Sequence, residues 1–218
     1  VGTRRVSIND SEAGPFREGW PVNRAPIYFV RHGETDWNAE GRLQGQRDTP
    51  LNRKGLAQAA EAGERLRGLL GDGLADLPYL ASPMERTRHT MEGLRTALGL
   101  DPAGYVTDPR LREIGFGAWE GLTWKDVRRS DPARAQARDR DRWGYCPPGE
   151  GAESYAMVAE RVRPLLESLD RPTIIVAHGG VARAVMVTLG AASREEAPHL
   201  EILQGRILVF EAGGRRWA

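Results

Sequence analysis

The sequence predicts an α/β fold, a three-layer sandwich with a mostly parallel central sheet and helices on both faces. Three observations carry that expectation. Residues 26–30 are continuously apolar, and 173–177 repeat that layout after Thr173, as strands buried on both faces do. Amphipathic helical stretches alternate with such runs along the chain, which is the pattern of a parallel sheet joined by crossover helices. Each of the two runs also delivers a histidine beside a glycine, in Arg31-His32-Gly33 and in His178-Gly179-Gly180. Open α/β sheets bind ligands just beyond such strand ends.

The remaining elements follow in order. Residues 33–51 are rich in Gly, Asp, Asn and Pro and read as loop. Asn52 is a suitable N-cap for a helix over 53–70, with Leu56, Ala59, Ala60, Gly63, Leu66 and Leu70 as its apolar face. Tyr79-Leu80-Ala81 reads as a short strand. Ser82-Pro83-Met84-Glu85 then has the form of a capping box with proline at the first helical position. Met84, Thr87, Met91, Leu94 and Leu98 form that helix's inner stripe, leaving Arg86 off it and free to point past the strand ends.

Residues 106–112 read as extended, although Pro109 argues against a central strand. Thr123 is placed to cap a short helix to about Arg129. A longer helix is expected over 152–169, with Val158, Val162, Leu165, Leu166 and Leu169 on one side. A helix over 181–189 follows the strand 173–177, and a final strand lies near 207–210. Residues 1–25 hold no apolar core of signal-peptide length and read as a surface extension. Residues 26–218 are expected to form a single domain with a cap-like insertion around 123–150.

Composition narrows the partners. A chain of 218 residues with 40% hydrophobic and 28% charged residues reads as an ordinary soluble globular protein. Its net charge of +1 gives no global attraction to nucleic acid or to a membrane, so anion binding must come from locally placed arginines. No apolar run is long enough for a transmembrane helix. The one cysteine, Cys146, cannot form an intrachain disulfide, and a reducing cytoplasm is the simplest home.

The chemistry gathers at the strand ends. A guanidinium at Arg31 suits a phosphate, because its planar donors match two oxygens at once. A neutral imidazole at His32 can attack phosphorus, and Gly33 lets the chain turn sharply. Alone, either Arg31 or His32 reads as a polar residue where a strand meets solvent. The four histidines, His32, His89, His178 and His199, include no helical i,i+4 pair, and no Cys or Glu completes a zinc spacing. No metal and no cofactor is therefore expected. Between 128 and 142, six arginines interleave with Asp131, Asp139 and Asp141, which favours a solvated helix face. The sharper alternative is that this stretch caps the pocket and contacts an acidic substrate.

Five blocks, in order, resemble the histidine phosphatase (phosphoglycerate mutase-like) superfamily. They are Arg31-His32-Gly33-Glu34-Thr35 with Asn38; Leu43-Gln44-Gly45 with Pro50-Leu51 and Gly55; Ser82 to Thr90; Leu111 to Gly121; and His178-Gly179-Gly180. The resemblance implies that His32 is the nucleophile and that Arg31, Arg86 and His178 hold the phosphoryl oxygens. It implies Asn38 as a further donor and Glu113 as the proton donor to the leaving oxygen. Gln44 falls at the pocket rim, and Gly45 and Gly179 fall among the substrate-binding residues. An antiparallel edge strand is implied as well.

The chain departs from the family's mutase branch. Gly180 stands where mutases carry asparagine, and Phe116-Gly117-Ala118-Trp119 replaces their Tyr-Gly motif. The segment 147–154 looks like the family's Pro-Pro-Gly-Gly-Glu-Ser block with two residues added. The resemblance therefore implies a metal-independent phosphatase that hydrolyses the phosphate monoester of a small metabolite through a phosphohistidine at His32. The alternatives are mutase-type phosphoryl transfer and a non-catalytic phosphate-binding regulator. The oligomeric state is left open.

Overall fold

The computed structural model describes residues 25–212 and 214–218. The N-terminal extension expected over 1–25 lies, but for its last residue, outside the described residues. Among the described residues, six strands form one sheet: β1 (Ile27–Arg31), β2 (Tyr79–Ala81), β3 (Val106–Thr107), β4 (Thr173–Ala177), β5 (Ile207–Glu211) and β6 (Gly214–Trp217). Their order is β3-β2-β4-β1-β5-β6. The pairs β1·β4, β2·β4 and β2·β3 are parallel, and β5 runs antiparallel to both β1 and β6. The implied antiparallel strand is present as β5, yet it is not the edge. That place belongs to β6, whose Arg215-Arg216-Trp217 run carries too little apolar signal to be read as a strand.

Seven α-helices among the described residues surround the sheet: α1 (Asp36–Ala39), α2 (Arg53–Leu70), α3 (Glu85–Ala97), α4 (Trp124–Ser130), α5 (Pro132–Arg140), α6 (Tyr155–Ser168) and α7 (Gly179–Thr188). The alternation of side chains along each strand divides the core in two. Ile27 and Phe29 of β1 join Ile175 of β4 and Leu208 and Phe210 of β5 in packing against α6 and α7. Tyr28 and Val30, with Ile174, Val176, Ile207 and Val209, pack against α2 and α3. Each fully buried aliphatic side chain in these layers contributes roughly 1.5–3 kcal/mol. A satellite cluster of Leu43, Trp119, Val127 and Ala135 lies under α4 and α5.

Several local expectations need correction. The segment 33–51 contains α1, one turn long. Thr35 caps it, and Asn38 completes a capping box through the Thr35 N–H. Helix α2 begins at its expected Asn52 cap, whose carboxamide oxygen accepts from the Gly55 N–H at 2.9 Å. Its buried face, however, is Gly55, Ala59, Ala62, Gly63 and Leu66, while Leu56 is 56% exposed and Ala60 also faces outward.

The Ser82–Glu85 capping box does not form. Helix α3 starts after Met84, without a side-chain cap from its own segment. Its first N–H, on Glu85, donates instead to both oxygens of Asp48 from a distant loop, at 2.9 and 3.1 Å. The inner face is wider than the expected stripe, and Arg86, expected off it, is fully buried beside Thr87, Thr90 and Met91. The extended stretch 106–112 shortens to β3 and a turn of 3-10 helix that opens at Pro109, where the missing N–H costs nothing. Helix α6 starts at Ser154 as N-cap, three residues later than expected.

Candidate active site

The site grows directly from strand register. Arg31 of β1 lies opposite Ala177 of β4, so the next residue on each strand, His32 and His178, must stand side by side. The His32 N–H donates to Ala177 O at 2.9 Å and extends the ladder by one step. On the other side of β4, the Ser82 N–H donates to Val176 O at 3.0 Å. Three strand ends therefore deliver His32, His178 and Ser82 to one place.

His32 is 2% exposed, and its Nδ1 lies 2.7 Å from Gly33 O. A carbonyl oxygen only accepts, so Nδ1 carries the proton. Burial, reinforced by the charges of Arg86 and Arg31, holds the ring well below the ordinary imidazole value and keeps it neutral. The lone pair is thus left on Nε2. Gly33 serves a different purpose from the sharp turn expected. A Cβ there would overlap the Gly55 carbonyl, so the end of β1 and the first turn of α2 pack backbone against backbone.

His178 is fully buried. Its Nε2 lies 2.8 Å from Ser82 Oγ, and its Nδ1 has no partner among the described residues. Burial comes first, then Arg86 and His32, in pushing its proton affinity well below the ordinary value. Ser82 Oγ also receives the Met84 N–H at 3.4 Å.

A cavity of about 280 Å³ opens above these strand ends. Arg31, His32, Asn38, Gln44, Gly45, Arg86, Glu113 and Gly179 all line it, so the structure brings together eight of the nine residues singled out from the sequence. The ninth, His178, is fully buried beside His32, with ring centres 5.2 Å apart. Arg31 donates to Ile202 O at 2.8 Å, while its Nε has no partner among the described residues. Burial, with Arg183 nearby and Glu113 opposing, lowers its pKa to about 10, so it remains charged. Arg86 donates to Gly45 O at 2.9 Å and Arg47 O at 2.8 Å, and its Nε too has no partner among the described residues. Unpaired buried guanidinium donors are costly unless an acceptor meets them.

Glu113 reaches the cavity from the loop after β3. Its Oε1 accepts from the N–H groups of Ile114 at 2.9 Å and Gly180 at 3.0 Å. A Cβ at Gly180 would collide with this carboxylate and with Ile114, so glycine is required for α7 to approach. Gln46 and Arg161 both donate to the Glu113 carbonyl, and Glu153 anchors the pair.

Several contributors escaped the sequence. Gln204 donates to both His32 O and Asn38 Oδ1, at 3.1 Å each, and orients the Asn38 amide. It lies in an irregular stretch with no periodic signal. Arg183 lines the cavity one helical turn beyond Gly179, a spacing that could have revealed it. Arg128, Arg138 and Arg142 line the cavity as well, whereas Arg129, Arg134 and Arg140 face solvent. The solvated-face reading of the arginine-rich segment therefore holds for only half of it. His89 stands apart beside Glu85, at 3.8 Å, and His199 beside Arg142. No group of three or more potential metal-ligating side chains occurs among the described residues.

The chain belongs to the histidine phosphatase superfamily (branch 1), whose family pattern it matches over residues 27–218. It is 34% identical to a metal-independent phosphoserine phosphatase of Arabidopsis thaliana over 196 residues, which cover 88% of this chain and 78% of that one. It is 37% identical to a probable phosphoglycerate mutase GpmB of Erwinia tasmaniensis, covering 74% of this chain and 73% of that one. Among solved structures, a mycobacterial glucosyl-3-phosphoglycerate phosphatase in complex with VO3 matches with a TM-score of 0.73 at 31% identity. That match covers 89% of this chain and 96% of that one. A phosphoglycerate mutase from Thermus thermophilus matches with a TM-score of 0.65 at 36% identity, covering 88% of this chain and 96% of that one. The protein is a phosphoric monoester hydrolase of this family, whose members act through a phosphohistidine.

Proposed function

We propose that the protein hydrolyses the phosphate monoester of a small metabolite in two steps at His32. The observation that carries this reading is the Nδ1 contact to Gly33 O, which leaves a neutral Nε2 lone pair among cationic donors. In the first step Nε2 attacks phosphorus. The bond from phosphorus to the ester oxygen breaks, and that oxygen takes a proton from Glu113. In the second step water attacks the phosphohistidine and Glu113 takes the water's proton. The N–P bond then breaks and phosphate leaves.

The other roles follow from charge and hydrogen bonding. Phosphoryl transfer needs positioning and charge stabilisation more than further covalent machinery. Arg31 and Arg86 meet the equatorial oxygens with guanidinium donors, and Asn38, Gln44 and the backbone at Gly45 and Gly179 line the remaining wall. The Ser82 hydroxyl donates to His178 Nε2, which places the proton on Nδ1 and makes His178 a neutral donor to the phosphoryl group. Glu113 Oε2, with only a 3.3 Å contact to the Gly180 N–H, is the oxygen that exchanges a proton.

Residues 26–218 act as one domain, with 123–150 as a cap over the cavity. Phosphoserine, phosphoglycerate and glucosyl-3-phosphoglycerate, which appear in the relatives' names, are all small phosphorylated metabolites and support that substrate class. A cytoplasmic setting suits a chain whose one cysteine is exposed and unpaired. No helix among the described residues is long and apolar enough to cross a membrane.

The mutase-named relatives support a second reading, in which the phosphoryl group returns to the substrate. Phosphorus NMR of the protein incubated with 3-phosphoglycerate and with an aryl phosphate separates the two. Free phosphate with no second phosphoglycerate is expected. Interconversion of phosphoglycerates without phosphate release would overturn hydrolysis.

A further inference from the structure

His32 owes its tautomer to one peptide. Its Nδ1 meets Gly33 O at 2.7 Å, and that carbonyl belongs to the peptide joining Gly33 to Glu34. The N–H of the same peptide, on Glu34, donates to Gln58 Oε1 at 2.8 Å. In a trans peptide the C=O and N–H point opposite ways. The group that accepts the Glu34 N–H therefore also aims the Gly33 carbonyl at His32. Were this peptide turned over, its N–H would face Nδ1 and Nδ1 would have to accept. The ring proton would then sit on Nε2, with no lone pair left there for phosphorus.

A glycine does not hold that plane by itself, because its backbone torsions are soft. Helix α2 supplies the hold. Gln58 is half-buried in the first half of α2, and a Cβ at Gly205 would come within 3.3 Å of its Cγ, so the glycine at 205 leaves room for the glutamine stem. At the start of the same helix, the Asn52 N–H donates to Glu34 O at 2.9 Å, which fixes the next carbonyl along the chain. On the other side, the Gly33 N–H donates to Thr90 Oγ1 at 3.0 Å, and the Thr90 hydroxyl donates to Arg86 O at 2.7 Å. The peptides before and after the Gly33–Glu34 unit are thus pinned by backbone and hydroxyl partners. The unit that faces His32 is pinned by the Gln58 side chain.

We propose that Gln58 is a positioning residue for the nucleophile: by accepting the Glu34 N–H it holds the Gly33 carbonyl against His32 Nδ1 and keeps the Nε2 lone pair free to attack. The inference rests on the reading of His32 as the residue that is phosphorylated. Its logic is that of the acceptor that orients a general-base histidine, with one peptide interposed. A glutamine amide carries both an acceptor and donors, whereas a carboxylate in its place only accepts and enforces the same peptide orientation.

The test reads the ring and the rate together. Long-range proton–nitrogen NMR of protein labelled at its histidine nitrogens reports which His32 nitrogen carries the proton, the His32 signals being those lost in His32→Ala. Rapid-quench mixing with a saturating aryl phosphate reports the rate of phosphohistidine formation. Gln58→Met removes the acceptor, and Gln58→Asn withdraws it by one methylene, which keeps the proposal testable if the methionine variant fails to fold. In both, part of the His32 population should move its proton to Nε2. The rate should fall about tenfold, as the loss of one neutral hydrogen bond gives. Competitive inhibition by inorganic phosphate should stay unchanged, since Arg31 and Arg86 keep their own partners. Gln58→Glu should hold the proton on Nδ1 and recover most of the rate. An undiminished rate in Gln58→Met and Gln58→Asn, a fall in rate with the proton still on Nδ1, or a Gln58→Glu that behaves like Gln58→Met would each overturn the role of Gln58 alone. Turnover of the aryl phosphate by the unaltered protein with no phosphoryl group on His32 would overturn the reading of His32, and this inference with it.

Discussion

His178 stands edge-on to His32, with ring centres 5.2 Å apart and planes inclined at 62°. Two imidazoles this close and this deeply buried cannot both take up protons cheaply, least of all beside Arg86 and Arg31. Adjacent parallel strands fix the pair, so the chemistry at this end of the sheet is set by the ladder rather than by a mobile loop.

The histidine pair makes stability depend on pH. Both rings bind protons less readily in the folded chain than at the ordinary value of 6.5, which unfolding restores. Below about pH 6.5 the unfolded chain therefore holds more protons, and stability falls as the pH drops. Each histidine contributes about 1.4 kcal/mol per pH unit in that window and no slope above it. Urea unfolding at about pH 7.5 and about pH 5.5 measures this, and His178→Asn should reduce the acid-side slope. A slope that is the same with and without His178 would contradict the buried neutral pair.

Gly180 should behave as part of the proton-transfer apparatus although it has no side chain. Gly180→Ala pushes a methyl group against Glu113 and Ile114. Turnover of an alkyl phosphate is expected to fall about a hundredfold, the lower part of the range for general acid–base catalysis. An aryl phosphate with a good leaving group needs little protonation and should lose far less. Equal losses on both substrates would mean that Glu113 does not protonate the leaving oxygen.

Gln204 ties two parts of the site together through one amide group. Gln204→Ala strips a donor from His32 O and from Asn38 Oδ1. A stability loss of about 1–3 kcal/mol is expected from the stranded His32 carbonyl, while Asn38 Oδ1 keeps the Thr35 N–H, and KM should rise as Asn38 loosens. Thermal unfolding and steady-state kinetics on the same preparation report both. An unchanged KM would show that Asn38 holds its place without this contact.

Much of the site was readable in the sequence because it is built on strand ends. A continuous apolar run followed at once by a polar triplet marks where a buried strand leaves the sheet, and this placed His32 and His178 together. Glu113 and Asn38 were readable only through the resemblance, since a carboxylate before Ile114 has no periodic signal of its own. The error at the start of α3 has a clear source. The local residues Ser82 and Glu85 offered a capping box, but Ser82 serves His178 and Asp48 caps the helix from 37 residues away. Loop-to-helix caps of that kind leave no local trace. The same limit applies to Gln204, which contacts residues more than 160 positions distant. In the arginine-rich segment, sign alternation identified the helix but not which face turns inward, because Trp124 and Val127, which seat α4 and α5, lie outside the charged run.

The most direct measurement is the site of phosphorylation during turnover. The protein is mixed briefly with substrate, quenched in base to preserve a nitrogen–phosphorus bond, and mapped by peptide mass spectrometry. One acid-labile phosphoryl group is expected on the peptide containing His32, with none in His32→Ala, which should also release no phosphate. A phosphoryl group on another side chain, or phosphate release undiminished in His32→Ala, would contradict the assignment of His32 as the nucleophile.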